Sequence, residues 1–131
     1  MKRFSKIIIV SALLLSVCAA SALADSFYAY IARGSMDGTV FTVTSRIEVS
    51  QSYSQAVTSF DRMAQMYAKN TSKYGNKQIK TTRQQTYEGG SVTSTQTVGP
   101  GFKIYYCEAE GNATLPGGAG SITRTAIVDL E

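Results

Sequence analysis

The residue types that this sequence lacks restrict its chemistry. Its 131 residues contain no histidine and no tryptophan, and only two cysteines and two prolines. Without histidine, Ser-His-Asp and Cys-His nucleophile pairs are excluded in their usual form, as are metal sites that use imidazole. No G-x-x-x-x-G-K-[ST] or G-x-G-x-x-G phosphate-binding loop is present. We therefore predict no enzyme, no metal and no cofactor.

The amino-terminal segment has the three parts of a secretory signal peptide of bacterial type. Three basic residues within the first six precede an apolar stretch at residues 7–17, and Ala22-Leu23-Ala24 is a small-x-small cleavage site. The apolar stretch is too short to span a membrane. The alternative, lipid modification at Cys18, is disfavoured because Val17 precedes it where such signals carry a small residue. We predict a cleaved signal peptide at residues 1–24.

The remaining chain, residues 25–131, is expected to form one exported domain, periplasmic or secreted, without a membrane span. Three of the thirteen basic residues belong to the signal peptide, so the mature chain carries a net charge near +1. This near balance argues against nucleic acid as a partner. Cys107 is the one cysteine left after cleavage, which excludes an internal disulfide. We expect it to be buried; the alternative is a disulfide to another chain.

A helical pattern between Ser52 and Ser72 organises the predicted fold. Apolar residues spaced by three and four form one stripe: Tyr53, Ala56, Val57, Phe60, Met63, Ala64, Tyr67 and Ala68. Ser52 and Gln55 have the spacing of a capping box, and Gly75 is a candidate stop. We predict one amphipathic helix with Phe60 at the centre of its buried stripe.

The rest of the chain indicates β-strands. They are expected at residues 27–32, 39–49, 77–87, 92–98, 102–109 and 121–130. Asp37-Gly38 predicts a hairpin turn after the first strand. Residues 102–109 have bulky groups on both faces and indicate a central strand, whereas Lys80 and Arg83 mark residues 77–87 as an edge. The predicted fold class is α+β: an antiparallel sheet of about five to six strands with the helix packed across one face, in the order β-β-α-β-β-β-β.

The most specific candidate for a binding site is basic. Five cations follow one another without an intervening acid: Lys69, Lys73, Lys77, Lys80 and Arg83. If the segment after the helix returns beside the helix end, the five converge into one positive area for an anionic partner. Acidic residues gather late in the sequence, which predicts a separation of charge. An ordinary solvated surface is the favoured interpretation of these charges taken alone, and the binding site is the alternative.

Two further groups are candidates of lower rank. Candidate aromatic contacts are Tyr28, Tyr30, Tyr74 and Tyr87. Glu108 and Glu110 are two apart on a strand, so they share a face, and paired carboxylates can divide acid and base roles. The favoured interpretation of the glutamates is a solvated strand end.

Two functions of different class remain open. The first is an exported, non-catalytic binding or interaction protein, such as an inhibitor or an envelope component, whose partner is another protein or an anionic envelope glycan. The second is a self-assembling structural or surface protein, since the polar strands between residues 77 and 98 suit edge pairing between chains, and a homo-oligomer is compatible with either. A carboxylate-based hydrolase is a distant third.

Overall fold

The computed structural model of the protein describes residues 26–131, so the predicted signal peptide and Cys18 lie outside the described residues. Eight strands make up most of this part of the chain. They are β1 (Phe27–Met36), β2 (Thr39–Glu48), β3 (Tyr53–Phe60), β4 (Gln65–Tyr74), β5 (Gln78–Thr86), β6 (Gly90–Thr97), β7 (Ile104–Thr114) and β8 (Ser121–Asp129). Within residues 26–131 the one helical element is a single 3₁₀ turn at Pro116–Gly118.

The strands form two antiparallel sheets that face each other. The first sheet has the order β1-β2-β3-β6 and the second has the order β5-β4-β7-β8. The chain changes sheet between β3 and β4, between β5 and β6, and between β6 and β7. Each sheet therefore covers the inner face of the other, and the architecture is a β-sandwich.

The predicted helix between Ser52 and Ser72 is wrong, and with it the α+β class and the single-layered sheet. This segment forms β3 and β4, which belong to different sheets. Inward positions alternate along both strands: Ser54, Ala56, Thr58, Phe60, Met66, Ala68, Asn70 and Ser72 are buried. Four of these positions are occupied by Ser, Thr or Asn, so the period of two was hidden in the apolar pattern. Apolar residues four positions apart lie on one face of an α-helix and also on one face of a β-strand, so this spacing does not distinguish the two.

Other expectations about the fold are confirmed. β1 and β2 form a hairpin whose turn residues, Asp37 and Gly38, have φ of 53° and 77°. β5 is an edge strand and β7 lies between two neighbours. Cys107 is fully buried, and this burial raises the pKa of its thiol.

The apolar half of the interior lies between β2, β3, β4 and β7. Phe60 is buried there, as predicted, although it reaches the core from a strand and not from a helix. Its ring meets the ring of Phe41 edge-on, with centroids 6.2 Å apart. The opposing sheet lies close to the backbone at Gly111, where an added Cβ would lie 2.2 Å from the Thr58 hydroxyl and 2.4 Å from a methyl group of Val43. Glycine is required at this position because of the opposing sheet.

The other half of the interior is more polar, although it also contains a small apolar cluster of Ile47, Ile104, Cys107 and Val128. Its buried polar side chains are Ser45, Ser54, Asn70, Ser72, Ser94 and Gln96. Asn70 is at the centre, and its amide nitrogen donates to the Ser54 hydroxyl (3.1 Å) and to the Ser94 carbonyl (3.2 Å). The Gln96 amide nitrogen links the two sheets by donating to the carbonyl oxygens of Asn70 (3.1 Å) and Lys80 (2.6 Å). Directional bonds therefore join the sheets where apolar packing ends.

Candidate functional site

The outer face of the second sheet concentrates charged and aromatic side chains. The register aligns them in rows that run across the four strands. One row contains Arg83 of β5, Lys69 of β4, Glu110 of β7 and Thr125 of β8. A parallel row contains Ile79, Lys73, Tyr106 and Asp129. Neighbours in a row are separated by one strand spacing, about 4.8 Å. We call this surface the outer face.

Tyr67 is bonded to a carboxylate and lies beneath a cation. Its hydroxyl donates to Glu110 Oε2 at 2.6 Å, and the Arg83 guanidinium carbon lies 4.4 Å from the centre of its ring. Burial and the bond to Glu110 raise the pKa of the Tyr67 phenol, and the charge of Arg83 opposes that rise. The phenol therefore stays a donor over the whole physiological range, and the guanidinium is held by the ring.

Tyr106 repeats the same arrangement one strand away. Its hydroxyl donates to Glu108 Oε1 at 2.8 Å, and Lys73 Nζ lies 4.4 Å from its ring centre. Burial, followed by the bond to Glu108 and the negative charge of Glu108, raises the pKa of Tyr106 to about 12. Two cation–ring–carboxylate units thus lie side by side on the outer face.

Charge is divided across the outer face by strand. The β4–β5 hairpin, Gln65–Thr86, contains five cations and no acid. Glu108, Glu110 and Asp129 lie on the other two strands. A positive half therefore adjoins a negative half within one sheet. The sequence predicts that the basic region and the acidic residues near the end of the chain are separated. This prediction is wrong, because β4 pairs with β7 and brings Glu110 opposite Lys69.

The five predicted basic residues only partly converge. Lys69, Lys73 and Arg83 share the outer face. Lys80 pairs with the buried Ser72, which places its side chain on the opposite side of β5. Lys77 lies in the turn between β4 and β5, with φ of 63°. The expected single area of five cations is therefore a group of three on the outer face, with the other two beside it.

The four candidate aromatic contacts do not form one surface. Tyr28 lies on the inward side of β1 and packs against the small core cluster that contains Cys107. Tyr30 points to the same side and is 43% exposed. Tyr74 packs against that cluster and meets Phe102 edge-on at 5.8 Å. Tyr87, 65% exposed, follows the end of β5 and accepts a bond from Gln85.

Tyr67 and Tyr106 were not among the sequence candidates, because Tyr67 was assigned to the buried stripe of a helix. A signal was nevertheless present. Residues 67, 69, 71 and 73 alternate with the small or apolar residues 66, 68, 70 and 72, and the same alternation runs from residue 106 to residue 112. When each segment is treated as a strand, these side chains fall on one wet face.

The described cavities are a less convincing site. The larger, about 560 Å³, is an open groove at one end of the sandwich, lined by the Gly99-Pro100-Gly101 loop, Phe102 and Lys103. Lys103 is the one charged side chain in its lining, against three cations on the outer face. Among residues 26–131, no three acidic or cysteine side chains are placed to hold a metal ion together. The outer face is therefore the candidate site.

Comparison of the chain with protein-family models, with curated proteins and with solved structures gives no match. Among the described residues, no helix has the length and apolar character needed to cross a membrane. Function is therefore inferred from the geometry of the outer face.

Proposed function

We propose that this is an exported, non-catalytic binding protein that holds an anionic partner on the positive half of its outer face. The observation that carries the proposal is the group of three cations, Lys69, Lys73 and Arg83, on one face of a hairpin without acids. Two of these cations are held over tyrosine rings, so less side-chain freedom is lost when an anion binds them. The partner is an acidic segment of a protein or an anionic envelope glycan.

The negative half of the outer face supports selectivity. Glu108 and Glu110 lie one strand away from the cations. An anion centred on β4 and β5 gains from the cations, whereas one that extends over β7 meets carboxylates. The proposal therefore favours a narrow anionic chain aligned with the strands over a broad anionic surface.

Absence of catalysis is also part of the proposal. The chain has no histidine, and the two glutamates that share this face each accept a bond from a tyrosine hydroxyl. Neither described cavity is lined by Glu108 or Glu110, so neither would exclude water from a reaction at these carboxylates.

The binding proposal is tested with two pairs of substitutions in the same hairpin. Lys69→Gln with Lys73→Gln removes two charges from the outer face, and Lys77→Gln with Lys80→Gln removes two charges beside it. The probes are dextran sulfate for an anionic glycan and polyglutamate for an acidic protein segment, with neutral dextran as the blank. We expect the first pair to weaken binding of one anionic probe at least tenfold more than the second pair, with binding that falls as salt rises.

Equal losses from the two pairs would contradict the proposal, because both remove the same net charge from the same hairpin. Binding of neutral dextran with the same affinity would contradict it as well. The probe that binds more tightly identifies the class of partner.

Export is a separate part of the proposal, supported by the signal-peptide pattern of residues 1–24. Intact-mass analysis of protein recovered from the periplasm or the medium should show a chain that starts at Asp25. A lipid-bearing chain that starts at Cys18 would contradict this expectation.

Self-assembly is the second candidate function, and the specific observation that favours it is the exposed edge of β5. Seven of the nine residues of this strand are exposed. An open fibre would also require a free edge at the opposite side of the sandwich. The edge at that side is not free in the same way, because the Arg124 side chain of β8 donates to the carbonyl of Arg33 in β1 at 3.4 Å. A native mass series across concentration separates the candidates, since an open assembly gives an unlimited ladder of species.

A further inference from the structure

Charge is the one protective feature that β5 has as an edge strand; it has no proline and no bulge, and it is not short. β5 pairs with β4 through nine residues in continuous register, without a bulge. It contains no proline, and only Thr82 and Thr86 are partly buried. Every second residue of such an edge strand presents an unpaired backbone N–H and C=O. This edge can therefore accept a further antiparallel strand.

We propose that the strand it accepts is β5 of a second copy of this chain. In an antiparallel pair with Thr82 opposite Thr82, all nine residues of both strands overlap. Lys80 then lies opposite Gln84, and Arg83 lies opposite Thr81. The register with the longest overlap thus places no two like charges directly opposite each other, so the edge can pair with a second copy of itself.

Competing registers are less favourable. A slip by one residue would place outward side chains opposite inward ones, which the pleat of a continuous sheet does not allow. A slip by two residues in one direction brings Arg83 opposite Arg83, and a slip by two in the other direction leaves only seven of the nine residues overlapping. A slip by four in the other direction brings Lys80 opposite Lys80. Like charges directly opposite each other destabilise strand pairs.

The Gln96 side chain is compatible with this pairing. Its amide nitrogen donates to the Lys80 carbonyl from the other sheet. A carbonyl oxygen has two lone pairs, so the Lys80 oxygen retains one for a backbone N–H of the second copy. The Thr82 hydroxyl is bonded to the Ser94 hydroxyl at 2.6 Å, which directs it toward β6 and not toward the open edge.

The consequence is a closed pair of molecules with one continuous eight-stranded sheet. The two-fold axis passes between the two Thr82 residues, and both outer faces lie on the same side. The two positive halves meet at the centre of the joined sheet, because β5 and β4 are the strands nearest the axis. This places a doubled positive surface there, although the pairing itself does not depend on the proposed function.

The register is tested with charge substitutions at two adjacent exposed positions. Gln84→Lys places a lysine opposite Lys80 at two symmetric sites. Gln85→Lys adds the same charge one residue away, opposite Ile79, and is the matched control. Gln84→Glu places opposite charges at the two sites. We expect the dimer dissociation constant to rise roughly tenfold for Gln84→Lys, to fall for Gln84→Glu and to change little for Gln85→Lys.

The measurement is sedimentation velocity across concentration, on protein expressed from the full 131-residue sequence. A monomer–dimer equilibrium with this order of affinities supports the proposal. A monomer at every concentration, an open series of species, or equal effects of Gln84→Lys and Gln85→Lys would overturn it. Lys69→Gln with Lys73→Gln changes neither position, so a loss of anion binding and a loss of pairing are distinguishable.

Discussion

Replacing Asn70 with alanine tests the polar half of the interior. Asn70 is fully buried. Its amide nitrogen donates to Ser54 Oγ and the Ser94 carbonyl, while its Oδ1 accepts from Ser72 Oγ at 2.7 Å and faces Cys107 Sγ at 3.5 Å. One side chain therefore satisfies polar groups from both sheets. Alanine keeps the strand but leaves these groups without their partner.

The expected cost follows from the bonds that are lost. The three hydrogen bonds of the Asn70 side chain to Ser54, Ser94 and Ser72, at roughly 1 kcal/mol each, give about 3 kcal/mol. A domain of this size is stable by about 5–15 kcal/mol, so the loss is a large fraction of the total. The melting temperature should fall by roughly 10–20 °C.

The assay is urea unfolding followed by circular dichroism, with Asn112→Ala as the matched control. Asn112 lies on the outer face, half-buried, and its amide donates to Ser121, Thr123 and the Ile122 carbonyl, where water can replace it. We expect Asn112→Ala to cost less than about 1 kcal/mol. Equal losses for the two variants would refute the reasoning, because the buried network would then stabilise the fold no more than a surface bond.

Three further predictions concern packing and pH. Gly111→Ala should destabilise the fold by about 1–3 kcal/mol, because its Cβ would meet the opposing sheet, whereas Gly99→Ala, with open space around it, should not; equal unfolding midpoints would contradict this. Phe60→Ala should cost about 3–5 kcal/mol, and a midpoint within error of the parent would show that Phe60 is outside the core. Tyr106 has a folded pKa of about 12, above its usual 10.0, so its contribution to stability is present below pH 10 and is lost as pH rises toward and through 12. Tyr106→Phe should therefore lose less stability than the parent between pH 9 and pH 11 in urea unfolding; parallel losses would contradict this.

The turns and most strands of this fold can be predicted from its sequence. The alternation in residues 39–49 and the Asp37-Gly38 turn are local signals, and both correspond to β2 and its hairpin. The segment from Ser52 to Ser72 is different, because its apolar residues four apart suit either period. The deciding evidence is the set of buried serines and the asparagine of β3 and β4, whose hydrogen bonds to each other form only when the two sheets face each other.

The candidate site could be predicted only in part, for a related reason. The charges of the β4–β5 hairpin are close in sequence, so Lys69, Lys73 and Arg83 were found. Their position beside Glu108 and Glu110 depends on the pairing of β4 with β7, between residues about forty apart. The local sequence pattern does not specify that pairing. Without it, Tyr67 and Tyr106, which lie between the cations and the glutamates, could not be identified as part of the site.

The central claim is that the outer face of the second sheet binds an anionic partner. The most direct measurement is a two-dimensional ¹H–¹⁵N NMR spectrum of labelled protein titrated with dextran sulfate at low salt. The account predicts that the largest shift changes fall on residues 67–73 and 79–85, the outer-face part of the β4–β5 hairpin, and that 0.5 M salt reverses them. Largest changes on β1 and β2 of the first sheet, or changes that persist at high salt, would contradict it.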